Sequence, residues 1–160
     1  MKKLFTLICI VAAGMLAVSC TSDDDAVAAV LPVYKDVVFI QNGEEVSARS
    51  IAAGQMVTAR LVQASKGSGI YRYTYQWKCN DEQAGLSVFK QEKNDSEEAV
   101  CEFLPTTAGD YTLTINIDYN YSGNRAPKAP SVTIPNGTVT YYVGGELYGK
   151  ATVTKNITIR

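Results

Sequence analysis

The sequence predicts an all-β chain folded as an antiparallel β-sandwich of about seven to nine strands. Apolar and polar residues alternate with period two through residues 30–160, helical periodicity is missing there, and clusters of Asn, Asp, Gly and Pro interrupt the alternation at short intervals. The clearest case is Tyr71-Arg72-Tyr73-Thr74-Tyr75-Gln76-Trp77-Lys78-Cys79, in which every odd position is aromatic or cysteine and every even one is polar. Successive side chains of a strand point to opposite faces, so this segment reads as a strand with one face on a core and one in water.

The remaining elements follow in order. Val33 to Ile40 is the first strand, and Asn42-Gly43 the turn that ends it. Val57, Ala59 and Leu61 mark the apolar phase of the next, which Gly67-Ser68-Gly69 separates from the Tyr71–Cys79 strand. After Asn80-Asp81 come a short strand at Leu86 to Lys90 and another carrying Ala99, Cys101 and Phe103. Pro105 to Gly109 is a turn, and Tyr111, Leu113, Ile115 and Ile117 form the inward phase of the strand that follows. Ser131 to Ile134, Thr138 to Val143 and Lys150 to Ile159 complete the set. The stretch from Asn120 to Gly149 is longer than a simple hairpin needs, so an inserted hairpin around Asn136-Gly137 is expected near the C-terminus, with its strand order open.

Cys9 falls in the apolar N-terminal segment, leaving Cys79 and Cys101 in the folded region after Cys20. An even pair on the inward phase of two strands predicts a disulfide, which would close a 22-residue loop and contribute about 3 kcal/mol in a chain-entropy treatment. The alternative is two buried free thiols packing as small hydrophobes. Two cysteines with no histidine anywhere in the chain make no ordinary zinc site.

Trp77, then Phe103-Leu104-Pro105, then Thr107-Ala108-Gly109-Asp110-Tyr111-Thr112-Leu113 resemble, in that order, an immunoglobulin-like domain of the PKD type over roughly Val30 to Arg160. The resemblance implies that Trp77 lies across the core on the third strand and that Tyr111 forms a corner, its hydroxyl bonding back to nearby backbone. The cysteines depart from the antibody pattern, since they fall on the third and fifth strands rather than the second and sixth.

For chemistry the chain offers little. There is no histidine, no Gly-x-Ser-x-Gly elbow, no phosphate-cradling glycine loop and no cysteine paired with a base, so no catalytic residues and no cofactor are assigned, and the expectation is a protein that is not an enzyme. Asp81-Glu82 and Glu97-Glu98 are adjacent pairs, which a strand would point to opposite faces, and they read as solvated turn charges. A calcium-binding sandwich is an alternative, through the oxygens of Asn80 to Glu82 or Asn94 to Glu98, although no ligand spacing there is diagnostic and no metal ligand is assigned. Tyr119, Tyr121, Tyr141, Tyr142 and Tyr148 crowd the C-terminal excursion beside Asn120, Asn124 and Asn136, and are the candidate residues for contact with a carbohydrate or a surface protein. Tyrosine is also a good strand residue, and alternation turns about half of such a set inward.

The first twenty residues, MKKLFTLICI VAAGMLAVSC, resemble a bacterial lipoprotein export signal: Lys2 and Lys3, then apolar Leu4 to Val18, then small residues before Cys20. The apolar run is 15 residues, short of the roughly 20 that a spanning helix needs. Leu16 stands one place earlier than the usual pattern has it. The resemblance implies removal of residues 1–19, acylation of Cys20, a linker over 20–29 and one sandwich domain over 30–160. Asp23-Asp24-Asp25 resembles the acidic tag by which some Gram-negative anaerobes send lipoproteins to the cell surface, and it reads equally as a solvated linker. The expected partner is therefore the outer membrane, reached through the lipid. Without the signal, 13 basic and 16 acidic residues remain, and nothing points to nucleic acid. The rival to a surface binding module is a structural spacer with no ligand. Cys20→Ala is expected to abolish acyl labelling and to release the protein from the membrane fraction; labelling that persists would refute the anchor.

Overall fold

In a computed structural model, residues 28–81, 84–85, 89–93, 99–145 and 147–160 are described, and they form two packed antiparallel sheets. The strands are β1 (Val33–Gln41), β2 (Glu44–Val46), β3 (Val57–Ser65), β4 (Ile70–Cys79), β5 (Phe89–Lys93), β6 (Val100–Phe103), β7 (Gly109–Tyr121), β8 (Thr133–Ile134), β9 (Gly137–Val143) and β10 (Tyr148–Ile159). The smaller sheet has the order β2-β1-β3-β6 and the larger β5-β4-β7-β10-β9-β8. With β1, β3 and β6 in one layer and β4, β7 and β10 in the other, the chain has the strand arrangement of an immunoglobulin-like sandwich.

The described strands number ten, against the seven to nine that the sequence predicts. The addition is β2, which Asn42 and Gly43 join to β1 in a two-residue turn with φ of 53° and 82°, the positive pair that a type I′ hairpin requires. The inserted hairpin is β8–β9, turning at Pro135-Asn136, and its place is now defined: β9 adds to the free edge of β10, and β8 adds to β9. The strand expected over Leu86 to Lys90 is β5, beginning at Phe89; residues 86–88 lie outside the described residues.

Alternation builds the core. The odd residues of β7 from Tyr111 to Tyr121, together with Tyr73, Tyr75 and Trp77 of β4, face Tyr34, Val37 and Phe39 of β1 and Val57, Ala59 and Leu61 of β3. Trp77 is fully buried, and Tyr111 donates its hydroxyl proton to the carbonyl of Thr107 at 3.1 Å. Tyr71 breaks the pattern and is 49% exposed. The cause is a bulge, because the β4–β7 register shifts between Tyr71 and Tyr73 and Arg72 sits in the left-handed region with φ 53°.

After β2 the chain crosses from the smaller sheet to the larger. Ile51 bridges Ile159 in parallel fashion, with hydrogen bonds from Ile51 N to Thr158 O, Thr158 N to Ala48 O and Arg160 N to Ile51 O. Buried Gln41 holds this crossing segment through its amide, which donates to Ala52 O and accepts from Ala52 N, both at 2.9 Å.

On the other side, the inserted hairpin is tied to β1 by two polar contacts. Tyr141 of β9 donates to Pro32 O at 2.9 Å, and Lys155 of β10, 3% exposed, reaches Asp36 Oδ1 at 2.5 Å and Pro135 O at 2.8 Å. Removing one partner of a buried pair leaves an uncompensated charge and costs about 3–5 kcal/mol, and the cost falls where the stranded group keeps access to water, as Asp36 does and Lys155 does not. Asp36→Ala, which strands the buried ammonium, is expected to cost about 3 kcal/mol. Lys155→Met, which leaves only the partly exposed carboxylate, is expected to cost about 1 kcal/mol in the same urea titration. Losses below about 0.5 kcal/mol in both variants would show that the pair does not tie the sheets.

Candidate functional site

The five tyrosines of the C-terminal excursion do not form one surface. Tyr119 and Tyr121 are buried and Tyr141 is half-buried, all on inward positions of β7 and β9. The reason is the edge extension just described, since β9 continues the inner face of the larger sheet over β1. Tyr34 and Tyr141 stack with ring centroids 6.2 Å apart, Tyr73 and Tyr75 at 5.8 Å, and Tyr73 meets Tyr119 at 6.2 Å. Gly149 lies across from Tyr119 with that ring over it, and an added Cβ would come within 2.5 Å of the ring.

Burial, and then the neighbouring tyrosines, raise the ionisation of Tyr34 and Tyr119 well above the usual tyrosine range. Burial likewise pushes Tyr141 up to about 12, opposed by the N–H that Tyr34 donates to its oxygen. Of the expected contact residues, Tyr142 is 62% exposed and Tyr148 half-buried, both on the outer face.

That outer face is built by the polar phase of the same strands. Cross-strand register sets Thr74, Asp118, Lys150 and Tyr142 in one row, Gln76, Asn116, Thr152 and Thr140 in the next, and Lys78, Thr114, Thr154 and Thr138 in a third. The hydroxyls of Thr138 and Thr154 are 2.7 Å apart, and Thr152 donates to Asn116 Oδ1 at 3.3 Å. Asp118 Oδ1 accepts from the Tyr148 hydroxyl and lies 3.4 Å from Lys150 Nζ. Burial and the bond to the Asp118 carboxylate raise the Tyr148 ionisation, and the Lys150 ammonium is held protonated by Tyr148 first and then by Asp118.

Gln76, Asn116, Asp118, Lys150 and Thr152 line a shallow depression of about 280 Å³. Tyr142 is in register beside Lys150 and Tyr148 bonds to Asp118, and their rings flank Gly144, whose added Cβ would lie 3.1 and 3.7 Å from them. A second, larger concavity of about 520 Å³ opens at the lower end of the same face, where β10 ends. The sequence signal for this face is the repeated Thr-x-Thr at Thr112/Thr114, Thr138/Thr140 and Thr152/Thr154, a β-branched polar residue suited to the outer side of a strand.

Cys79 and Cys101 are free thiols, which corrects the expected bridge. They sit in different sheets and each sulfur turns to its own neighbour: Cys79 donates to Asn80 Oδ1 at 3.6 Å and Cys101 to Glu102 O at 3.9 Å. A bridge would require their Cβ vectors to face one another at bonding distance. Burial raises both thiols, Cys101 to about 12, so neither is a ready nucleophile at neutral pH.

Of the loops considered for calcium, Asn80 uses its side-chain oxygen to accept from Thr112 N at 2.5 Å, while Glu82 and residues 94–98 lie outside the described residues. Among the described residues no group of three or more His, Cys, Asp or Glu side chains gathers, and no helix is long and apolar enough to cross a membrane. Residues 1–27, with Cys20 and Asp23 to Asp25, also lie outside them. No family model, no curated protein and no solved structure matches the chain.

Proposed function

We propose that this is a lipid-anchored cell-surface binding module that presents the outer face of its larger sheet to a glycan. One observation carries the reading: the depression lined by Gln76, Asn116, Asp118, Lys150 and Thr152, with the exposed Tyr142 in register beside Lys150 on the same face. Amide, carboxylate and ammonium groups offer donors and acceptors together, which is what vicinal sugar hydroxyls satisfy, and a tyrosine face takes the apolar side of a pyranose ring. The face is built on paired strands, so its groups are positioned before a ligand arrives and little ordering cost falls on binding. The export signal ending at Cys20 supports placement at the outer membrane, where many anchored copies would engage a polymer multivalently and compensate for weak single-site affinity. Binding rather than catalysis is favoured by the absence of histidine from the chain and by the raised thiols.

A stacked ring and a hydrogen bond each contribute about 1 kcal/mol. Tyr142→Ala combined with Asn116→Ala is therefore expected to weaken retention on a responsive polysaccharide about 10- to 30-fold, with unfolding unchanged, measured by affinity electrophoresis across a polysaccharide panel. Unaltered retention, or no retention of the wild-type protein on any member of the panel, would leave the spacer reading in its place.

A further inference from the structure

The larger concavity lies at the end of the sandwich remote from the N-terminal linker. Ala28 bridges Arg125 and Val30 bridges Ser68 beside the start of β4, whereas the concavity is lined by Arg49, Asp110, Thr112, Asn156, Thr158 and Arg160 at the finish of β10. Twelve residues of β10 separate the two ends by about 40 Å.

Hydrogen bonds in the concavity turn one oxygen of the Asp110 carboxylate and the Asn156 carbonyl toward neighbouring hydroxyls. Asp110 Oδ1 accepts from the Thr158 hydroxyl at 2.6 Å, and Asn156 Oδ1 accepts from the Thr112 hydroxyl at 3.1 Å, which leaves the Asn156 NH₂ free to donate. Arg49 is fixed by one bond, from Nη2 to Asn136 Oδ1 at 2.8 Å, and neither Arg49 nor Arg160 has a carboxylate partner among the described residues. Both sit on the same fold feature, since the crossing segment that carries Arg49 is hydrogen-bonded in parallel to the strand end that carries Arg160. Two guanidinium groups and an amide donor outweigh the single Asp110 carboxylate, already bonded to Thr158, and leave the concavity a net positive lining; guanidinium matches a planar or tetrahedral oxyanion through paired N–H groups.

We infer that Arg49, Arg160 and Asn156 bind an oxyanion substituent, a carboxylate or a sulfate ester, of an acidic polysaccharide. This deepens the glycan reading and rests on it, naming a charged subsite below the neutral depression on one continuous sheet face. The ligand runs along β10, with sugar rings near Tyr142 and Lys150 and acidic substituents at Arg49 and Arg160.

The test is affinity electrophoresis of the purified full-length protein in gels containing polygalacturonate, dextran sulfate or neutral dextran. The wild type is expected to bind at least one acidic polymer tenfold or more tightly than dextran; polygalacturonate alone assigns the carboxylate, dextran sulfate alone the sulfate ester. Arg49→Gln with Arg160→Gln is expected to lose at least tenfold on that polymer. Arg72→Gln with Arg125→Gln, the same charge removed at the opposite end, is expected to change it less than twofold. Unchanged Trp77 fluorescence identifies variants that remain folded, and both arginine pairs are exposed. Equal losses in the two pairs would reduce the effect to diffuse charge and overturn the site, as would full retention by the Arg49/Arg160 variant or a wild type that binds neither acidic polymer. Should Tyr142→Ala/Asn116→Ala leave acidic binding intact while Arg49→Gln/Arg160→Gln abolishes it, the anion site stands and the neutral depression falls.

Discussion

A layer of tyrosine rings between the two sheets is the constraint on which the rest of this structure depends. Tyr34 from β1, Tyr73 and Tyr75 from β4, Tyr119 from β7 and Tyr141 from β9 meet at one end of the sandwich, stacked or tilted at centroid separations of 5.8 to 6.2 Å. Each ring is large enough to span much of the space between sheets about 10 Å apart. Their collective size demands compensation nearby, and Gly149 under Tyr119 supplies it. Because Tyr141 belongs to this layer, the inserted hairpin must lie flat along β10 as a sheet extension, and its hydroxyl then finds Pro32 O across the sandwich.

The outer face follows from the same geometry. A strand that commits its odd residues to the core commits its even ones to water, so the rows running from Thr74 to Tyr142 and from Gln76 to Thr140 are the reverse side of the tyrosine layer. Extending the sheet by β9 and β8 widens that reverse side and brings Tyr142 beside Lys150. Rigidity of the inner layer thus becomes preorganisation of the outer one.

Much of the fold was legible because it depends on local chemistry. The period of two through Tyr71–Cys79, the Asn42-Gly43 turn and the punctuation at Pro105–Gly109 each specify a strand or its end without reference to distant residues. The bulge at Arg72 was not legible, since a left-handed arginine breaks no sequence pattern, and it moved Tyr71 from core to surface. The tyrosines between Tyr119 and Tyr148 were ambiguous for a similar reason: alternation assigns opposite faces, but only the pairing of β9 with β10 decides which face is inner. The arginines at the lower end belong to segments 111 residues apart, Arg49 and Arg160, and nothing local announces that the crossing segment brings them to one concavity.

Alkaline spectrophotometric titration of the ten tyrosines tests the inner layer most directly. Tyr34, Tyr119 and Tyr141 are raised in the folded chain above the ordinary value near 10 that they regain on unfolding. Their contribution to stability is therefore complete below pH 10 and is lost as pH rises from there through 12 and beyond. The account predicts that a class of at least three tyrosines stays neutral past pH 11 and then ionises together with the loss of native Trp77 fluorescence, in one cooperative step. Ionisation of all ten along a smooth curve centred near 10, with native fluorescence intact, would contradict it.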